Sequence, residues 1–165
     1  MSQFDKTLVT NINKIEPKRE RHGTFEYAKY LVLPKAGNQC TIAFMEVAPG
    51  KSAFPYHYHI GITEVFFIIS GEGIIITPDG ESPVKSGDVI AFPPGEAGTH
   101  RIVNTSKSEI LRYLDVDTVS EPDVAFYPDS GKVGLILGGK PHSVYRRVAA
   151  VDYYEGENGN DEGKK

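Results

Sequence analysis

The sequence predicts an all-β protein, folded as an antiparallel barrel or sandwich, and three observations support this prediction. The 165 residues include 17 glycines and 11 prolines, which is rich in turn formers without low complexity. Short runs of aromatic and branched residues recur between clusters of Gly, Pro, Ser and Asp. Between these runs we find no apolar repeat of helical period, which argues against a βαβ fold.

The strands can be placed in order along the chain. The first predicted strand is Phe25–Leu33, which stops at Pro34, and the second covers residues 41–47 and ends at Pro49-Gly50. Turn signals such as Pro78-Asp79-Gly80 then separate a series of shorter runs. These further strands are expected at residues 64–69, 73–77, 82–84, 88–92, 100–104 and 109–117. A weaker pair, at 133–137 and 144–148, is expected to pack against the barrel or to lie across a partner subunit.

One domain is expected, between two polar ends. Residues 1–22 read as an N-terminal arm, in which the basic run of residues 18–22 is expected to be a solvated loop. Residues 23–154 form the domain with a C-terminal extension. Residues 155–165 contain no apolar side chain and are predicted to be a disordered tail.

Composition and charge exclude several classes of function. The net charge of −4 argues against a nucleic-acid partner, because no basic field exists to release counterions. The single cysteine, Cys40, excludes an internal disulfide. No secretory leader and no apolar stretch of membrane-spanning length is visible. We therefore expect a soluble cytoplasmic protein that does not bind membranes.

Four residues form a candidate metal site. His57 and His59 are two positions apart, so both side chains point to one face of an extended segment. Glu64 opens the apolar strand that follows, and His100 begins a strand about forty residues later. Imidazole nitrogens and a carboxylate oxygen suit divalent Mn, Fe, Co, Ni, Cu or Zn. Each residue alone is more often a surface feature, but a carboxylate bordering an apolar strand is costly unless it meets a cation.

These residues also carry a family resemblance. The stretch from His57 to Gly71 resembles the first conserved motif of the cupin superfamily: His-x-His, four residues, Glu, six residues, Gly. The stretch from Gly87 to Asn104 resembles the second, which runs from Gly through Pro-x-Gly to His, three residues, Asn. The turns before His57 and His100 are one and two residues longer than in the family pattern. Residues 111–134 further resemble single-domain bacterial cupins loosely labelled as sugar-phosphate-isomerase-like.

The resemblance implies a fold and a cofactor. The fold would be a double-stranded β-helix barrel of the jelly-roll type with short flanking segments. His57, His59, Glu64 and His100 would bind one divalent transition ion, and a homodimer would be the usual assembly.

Other polar residues are harder to place from the sequence. On the last predicted strand Tyr113 and Asp115 share one face, and the sequence does not decide whether that face lines the cavity. Tyr113 is the candidate auxiliary acid or base, with packing as the alternative. Asn104 is expected to be a structural hydrogen-bonding residue at a strand end.

Two functions remain open at this point. The first is a metalloenzyme of isomerase, dioxygenase or lyase type, acting on a small oxygen-bearing metabolite. The alternative is a non-catalytic domain that binds or senses a small molecule through the same ion. A charged or tyrosyl side chain within reach of the open metal positions would favour the enzyme.

Overall fold

The structure is a computed structural model that describes residues 7–137 and 143–157. It contains thirteen strands joined by tight turns and short 3₁₀ turns, and no α-helix occurs in the described ranges. The strands are β1 Lys18–His22, β2 Phe25–Leu33, β3 Cys40–Val47, β4 Tyr58–His59, β5 Glu64–Ser70, β6 Glu72–Thr77, β7 Gly80–Lys85, β8 Val89–Phe92, β9 Arg101–Asn104, β10 Leu111–Thr118, β11 Asp123–Tyr127, β12 Lys132–Ile136 and β13 Ser143–Arg146. The strands pair antiparallel, as short strands joined by tight turns require.

The strands form three sheets. The largest has the order β1-β2-β3-β10-β5-β8, a second has β13-β12-β11-β4, and the third has β7-β6-β9. β10 lies at the centre of the largest sheet, between β3 and β5. The antiparallel pairing and the all-β content confirm the predicted all-β fold class.

The core lies between the sheets and is made by alternate residues of the central strands. Met45 on β3, Tyr113 on β10 and Ile68 on β5 form one cross-strand row, and none of the three is solvent-exposed. The period of two in a strand therefore places Tyr113 and Asp115 on the inner face and Arg112 on the outer face. The buried apolar cluster consists of Ala43, Met45, Val47, Ala53, Phe66, Ile68, Ile75, Val84, Phe92, Ile102, Leu111 and Tyr113.

The predicted strand series is confirmed with shifts of one or two residues at the ends. Asn104 has the expected structural role: its Nδ2 donates to the carbonyls of Val47 and Glu109, and its Oδ1 accepts from the Ser106 N–H. The weaker pair of strands, β12 and β13, extends the β11–β4 sheet of the same chain.

The basic run at Lys18–His22 was expected to be a solvated loop, and this prediction is wrong. It forms β1, an edge strand paired with β2 from Lys18 opposite Lys29 to His22 opposite Phe25. Backbone hydrogen bonds hold an edge strand without any apolar face, so hydropathy gives no signal for it. A cross-strand ion pair, Arg21 to Glu26 at 3.3 Å, is exposed to solvent. The N-terminal arm is correspondingly shorter than predicted.

β11 and β4 were also missing from the predicted strands. β4 has two residues, and β11 lies between Pro122 and Pro128, whose turn signals mask its short apolar run. At the C-terminus, residues 155–157 lie in an exposed turn, and the remainder of the predicted tail, residues 158–165, lies outside the described residues. A search of the described residues for helices that could span a membrane finds none.

Candidate metal centre

A direct backbone pairing brings the two histidine motifs together. The His57 N–H donates to the His100 carbonyl at 3.1 Å, and the His100 N–H donates to the His57 carbonyl at 2.9 Å. The two residues thus form an isolated antiparallel bridge. Residues directly opposite in such a bridge project side chains to the same face, and the two imidazole centroids lie 4.9 Å apart.

His59 joins them through β4 and the 3₁₀ turn before His100. β4 pairs with β11, with His59 opposite Ala125. The Gly95 N–H donates to the His59 carbonyl at 2.7 Å, which ties β4 to the turn at residues 96–98. The rings of His57 and His59 lie 5.3 Å apart, as expected for side chains two positions apart in an extended segment.

All three rings donate through Nδ1 to an acceptor of the protein. His57 Nδ1 donates to the Pro55 carbonyl at 2.8 Å, and His100 Nδ1 donates to the Gly98 carbonyl at 2.9 Å. His59 Nδ1 donates to Asp123 Oδ2 at 2.5 Å. This arrangement fixes the tautomer in which Nε2 carries the free lone pair, and it is the usual support for a metal-binding histidine.

The free nitrogens of His57 and His100 lie near the carboxylate of Glu64. Glu64 lies at the start of β5, where it is opposite Phe92 on β8 and Asp117 on β10. Its oxygens lie 4.0 Å from His57 Nε2 and 3.6 Å from His100 Nε2. One donor atom each of His57, His59 and Glu64 lies within 4.8 Å of the other two; His100 is outside this group and is joined to it through its 3.6 Å distance to Glu64. Small side-chain shifts would bring donor atoms at this spacing around one ion at bond lengths of about 2.0–2.2 Å.

Burial supports the fit of these residues to a cation. His100 Nε2 is buried and has no hydrogen-bond partner within the described part of the chain. Burial and the neighbouring histidines lower the pKa of His57 to about 3, and burial lowers that of His100 to about 4. Burial and the charges of Asp117 and Asp115 raise the pKa of Glu64 well above its usual range. Neutral imidazoles and a carboxylate that lacks a compensating charge are what a divalent ion requires.

Aromatic rings hold the histidines in place. Phe92 stacks on His100 with centroids 3.6 Å apart, and Phe66 contacts the same ring edge-on at 5.4 Å. Tyr127 stacks on His57 at 5.9 Å. Rings packed in this way lose little further entropy when they bind a ligand, so the candidate centre is preorganised.

The candidate centre opens into a cavity of about 550 Å³. His57, His59 and Glu64 lie on one side, and Asp115 and Asp117 of β10 lie on another. The second group is also compact, because carboxylate oxygens of Glu64, Asp115 and Asp117 lie within 4.8 Å of one another. Lys29 lines the cavity as well, with Nζ 3.4 Å from Asp115 Oδ2.

Tyr113 lies deeper in the barrel than these groups. It is fully buried, its ring packs 4.6 Å from that of Phe66, and it does not line the cavity. Its hydroxyl has no hydrogen-bond partner among the residues that the structure describes. Burial, with smaller effects from Asp115 and Glu64, raises the pKa of Tyr113 well above its usual range. The role of Tyr113 as an acid or base stays a prediction.

Asp123 and Asp117 were not among the predicted site residues, and the face of Asp115 was left undecided. Asp123 follows the Glu121-Pro122 pair in a segment that was assigned no strand. Burial would raise its pKa, but hydrogen bonds from His59 and from the Gly61 N–H outweigh that effect and hold it below its usual range. Alternation along β10 could have placed Asp117 beside Asp115 and Tyr113, had the inner face been known.

Comparison with known proteins gives the same fold and family. A model of the Cupin domain family matches residues 43–117. An oxalate-binding protein of Thermotoga maritima is 31% identical over 115 residues, which cover 66% of this chain and 92% of that protein. The solved structure of a predicted oxalate decarboxylase from Thermotoga maritima has a TM-score of 0.61 and 31% identity, and covers 68% of this chain and 100% of that chain.

A second solved structure covers more of the chain at lower identity. It is a sugar phosphate isomerase of the cupin superfamily from Silicibacter pomeroyi, with a TM-score of 0.75 and 21% identity, covering 87% of this chain and 95% of that chain. This likeness shows the shared fold. The match to the Cupin domain family and the 31% identity to the Thermotoga maritima protein show, with the two motifs that meet at His57 and His100, that this chain belongs to the cupin superfamily.

Proposed function

We propose that this protein binds one divalent transition ion through Nε2 of His57, His59 and His100 and the carboxylate of Glu64. The single observation that carries the proposal is the spacing of these groups: donor atoms of His57, His59 and Glu64 lie within 4.8 Å of one another, and His100 Nε2 lies 3.6 Å from Glu64. Every Nδ1 is already engaged by the protein, so the tautomer leaves a lone pair on each Nε2.

We further propose that the cavity holds a small oxygen-bearing metabolite next to the ion. A bound ion of this kind polarises carbonyl, carboxylate or hydroxyl oxygens as a Lewis acid. The Thermotoga relative is named for binding oxalate, a small oxygen-rich molecule, and this supports a ligand of that general class. The cavity volume of about 550 Å³ is in the range of small-molecule sites.

An enzyme of isomerase, dioxygenase or lyase type is the function that the cavity supports best. Carboxylates of Asp115 and Asp117 and the ammonium of Lys29 line the space beside the proposed ligands. Such groups can hold or move a proton at the bound molecule. The alternative is a non-catalytic binding or sensing protein, which the oxalate-binding relative supports. Chemical change of a bound metabolite, followed by NMR, would favour the enzyme, and binding without conversion would favour the alternative.

The metal content of the purified protein tests the proposal. We expect elemental analysis to find about one transition ion per chain in the wild type. His57→Ala and His100→Ala should each remove most of it, because a single missing ligand leaves a site that binds weakly. Added chelator should lower the melting temperature of the wild type and leave the two variants unchanged, since only a folded state that binds metal is stabilised by it.

A matched control comes from a histidine outside the cavity. His22 lies on the edge strand β1 with its side chain 76% exposed, so His22→Ala should retain full metal content. Full retention of metal in both His57→Ala and His100→Ala would contradict the ligand assignment.

A further inference from the structure

One wall of the cavity is acidic and lies beside the proposed ligands. Asp115 and Asp117 project from β10 into the cavity that His57, His59 and Glu64 also line. In the cross-strand register Asp117 is directly opposite Glu64, and Asp115 is opposite Phe66. A molecule bound to the ion would therefore contact this wall.

Each of the two aspartates has one oxygen to which no N–H group or hydroxyl of the described residues donates. Asp115 Oδ2 accepts from Lys29 Nζ at 3.4 Å, and Asp117 Oδ2 accepts from Thr41 Oγ1 at 2.9 Å. The other oxygens, Oδ1 of both residues, are buried, and no N–H group or hydroxyl in the described ranges donates to them. Asp115 itself is only 3% exposed, and its carboxyl is close enough to that of Asp117 to share one proton. One shared proton occupies a single lone pair on each side, and a carboxyl has several, so the pair still offers acceptors to a donor supplied by a ligand.

The nearby cations are already engaged by protein acceptors. Lys29 Nζ pairs with Asp115 and lies 5.6 Å from the centroid of the Phe54 ring. Lys35 Nζ donates to the Ser120 carbonyl at 2.7 Å. At the aspartates themselves the wall therefore offers acceptors to a bound molecule. Because an ammonium already lies beside Asp115, a hydrogen-bond donor is a better complement for the open oxygens than a second metal ion.

We propose that Asp115 and Asp117 determine specificity at this cavity, by accepting hydrogen bonds from the hydroxyl groups of a small molecule bound to the ion. The ligand class would be a hydroxyl-bearing molecule, such as an α-hydroxy acid or a polyol. A dianion such as oxalate carries only acceptors and cannot donate to either oxygen. This inference rests on the proposed metal site, and it separates this chain from its oxalate-binding relative.

Two probes of the same size test the inference. Glycolate and oxalate have the same two-carbon frame and both can chelate an ion, but glycolate has a hydroxyl where oxalate has a second carboxylate. Their affinities would be measured by titration calorimetry on the full chain loaded with Mn²⁺. The ratio of the two affinities is then compared between wild type and variants, because the intrinsic chelating strength of each probe cancels in that comparison.

Asp117→Asn and Asp115→Asn should each shift the ratio toward oxalate by about tenfold or more. The amide removes a negative charge and adds an N–H donor, so it disfavours the hydroxyl and favours the acceptor-only dianion. Asp79→Asn, at an exposed position in the β6–β7 turn, should leave the ratio unchanged. Asp115→Asn leaves Lys29 without its carboxylate, so if that variant does not fold, Asp117→Asn decides the matter.

The outcomes separate this inference from the proposed function. A wild type that holds no metal would contradict both. Suppose that the aspartate variants hold as much metal as the wild type, but their ratio of glycolate to oxalate affinity is unchanged or shifts toward glycolate. That result would contradict only the role of the aspartates. A second Mn²⁺ per chain that disappears in the aspartate variants would also contradict it, because the wall would then hold a cation.

Discussion

At the scale of single residues, the candidate centre depends on groups that orient the histidines. Two rings are oriented by backbone carbonyls, those of Pro55 and Gly98. The third, His59, is oriented by the side chain of Asp123. A side chain can be substituted without altering the fold of the main chain, so Asp123 is the place where orientation can be tested separately from ligation.

Asp123→Asn should weaken metal binding by about tenfold or more, the usual effect of losing a group that supports a ligand. Asp123 uses both oxygens as acceptors, Oδ2 for His59 Nδ1 and Oδ1 for the Gly61 N–H at 3.0 Å. An asparagine has one acceptor oxygen and cannot satisfy both donors. Competition with a chromophoric chelator would measure the affinity.

Asp129→Asn provides the control for this measurement. Asp129 has a side chain 60% exposed and pairs only loosely with Arg101 at 3.4 Å. The Asp129→Asn variant should bind metal like the wild type. An Asp123→Asn variant with unaltered affinity would show that the hydrogen bond to His59 does not support the site.

At the scale of elements, the short turn between β8 and β9 positions His100. Residues 96–98 form a single 3₁₀ turn, and its last carbonyl, that of Gly98, accepts from His100 Nδ1. The turn packs closely on the preceding prolines: a Cβ at Gly98 would lie 1.8 Å from the Pro93 carbonyl oxygen. Only glycine allows this approach of two backbone segments.

Gly98→Ala should therefore lower both stability and metal content. The added methyl group forces the turn away from Pro93 at a cost of about 1–3 kcal/mol, as for overpacking elsewhere, and moves the acceptor of His100. Thermal melting and elemental analysis would measure the two effects. Ala97→Ser, at the exposed neighbouring position, should behave as the wild type, and a Gly98→Ala variant with normal stability and metal content would contradict this role of the turn.

At the scale of the whole molecule, the C-terminal extension carries many exposed apolar side chains. β13 and the segment after it expose Val144, Tyr145, Val148, Val151, Tyr153 and Tyr154. Apolar groups concentrated in this way commonly mark an interface. They support the proposal that the protein is a homodimer, with this segment at the subunit contact.

Sedimentation velocity should show a dimer for the wild type. Val148→Asp and Tyr153→Asp should shift the protein toward monomer. Val148 is 88% exposed and Tyr153 86% exposed in the single chain, and a dimer contact here would bury the new charge against the partner. Val9→Asp, at a position 91% exposed in the N-terminal segment, should leave the assembly unchanged. A wild-type monomer at micromolar concentration would contradict the proposal.

The sequence by itself determined the all-β fold, most strand positions and the two cupin motifs. It did so because turn residues and alternation are local properties, and because the spacing of His57, His59 and Glu64 lies within one short stretch. β1 escaped prediction since an exposed edge strand needs no apolar pattern, and β4 has only two residues. The apolar run of β11 was hidden by the prolines at either end, Pro122 and Pro128.

Only the tertiary structure decided which side chains share the cavity. Two contacts join residues more than forty positions apart in the sequence. One is the bridge between His57 and His100, and the other is the hydrogen bond between His59 and Asp123. The inner face of β10 is likewise fixed by its two neighbouring strands, which place Tyr113, Asp115 and Asp117 inward. Such contacts depend on register between distant strands, and a shift of one residue would send every one of these side chains to the opposite face.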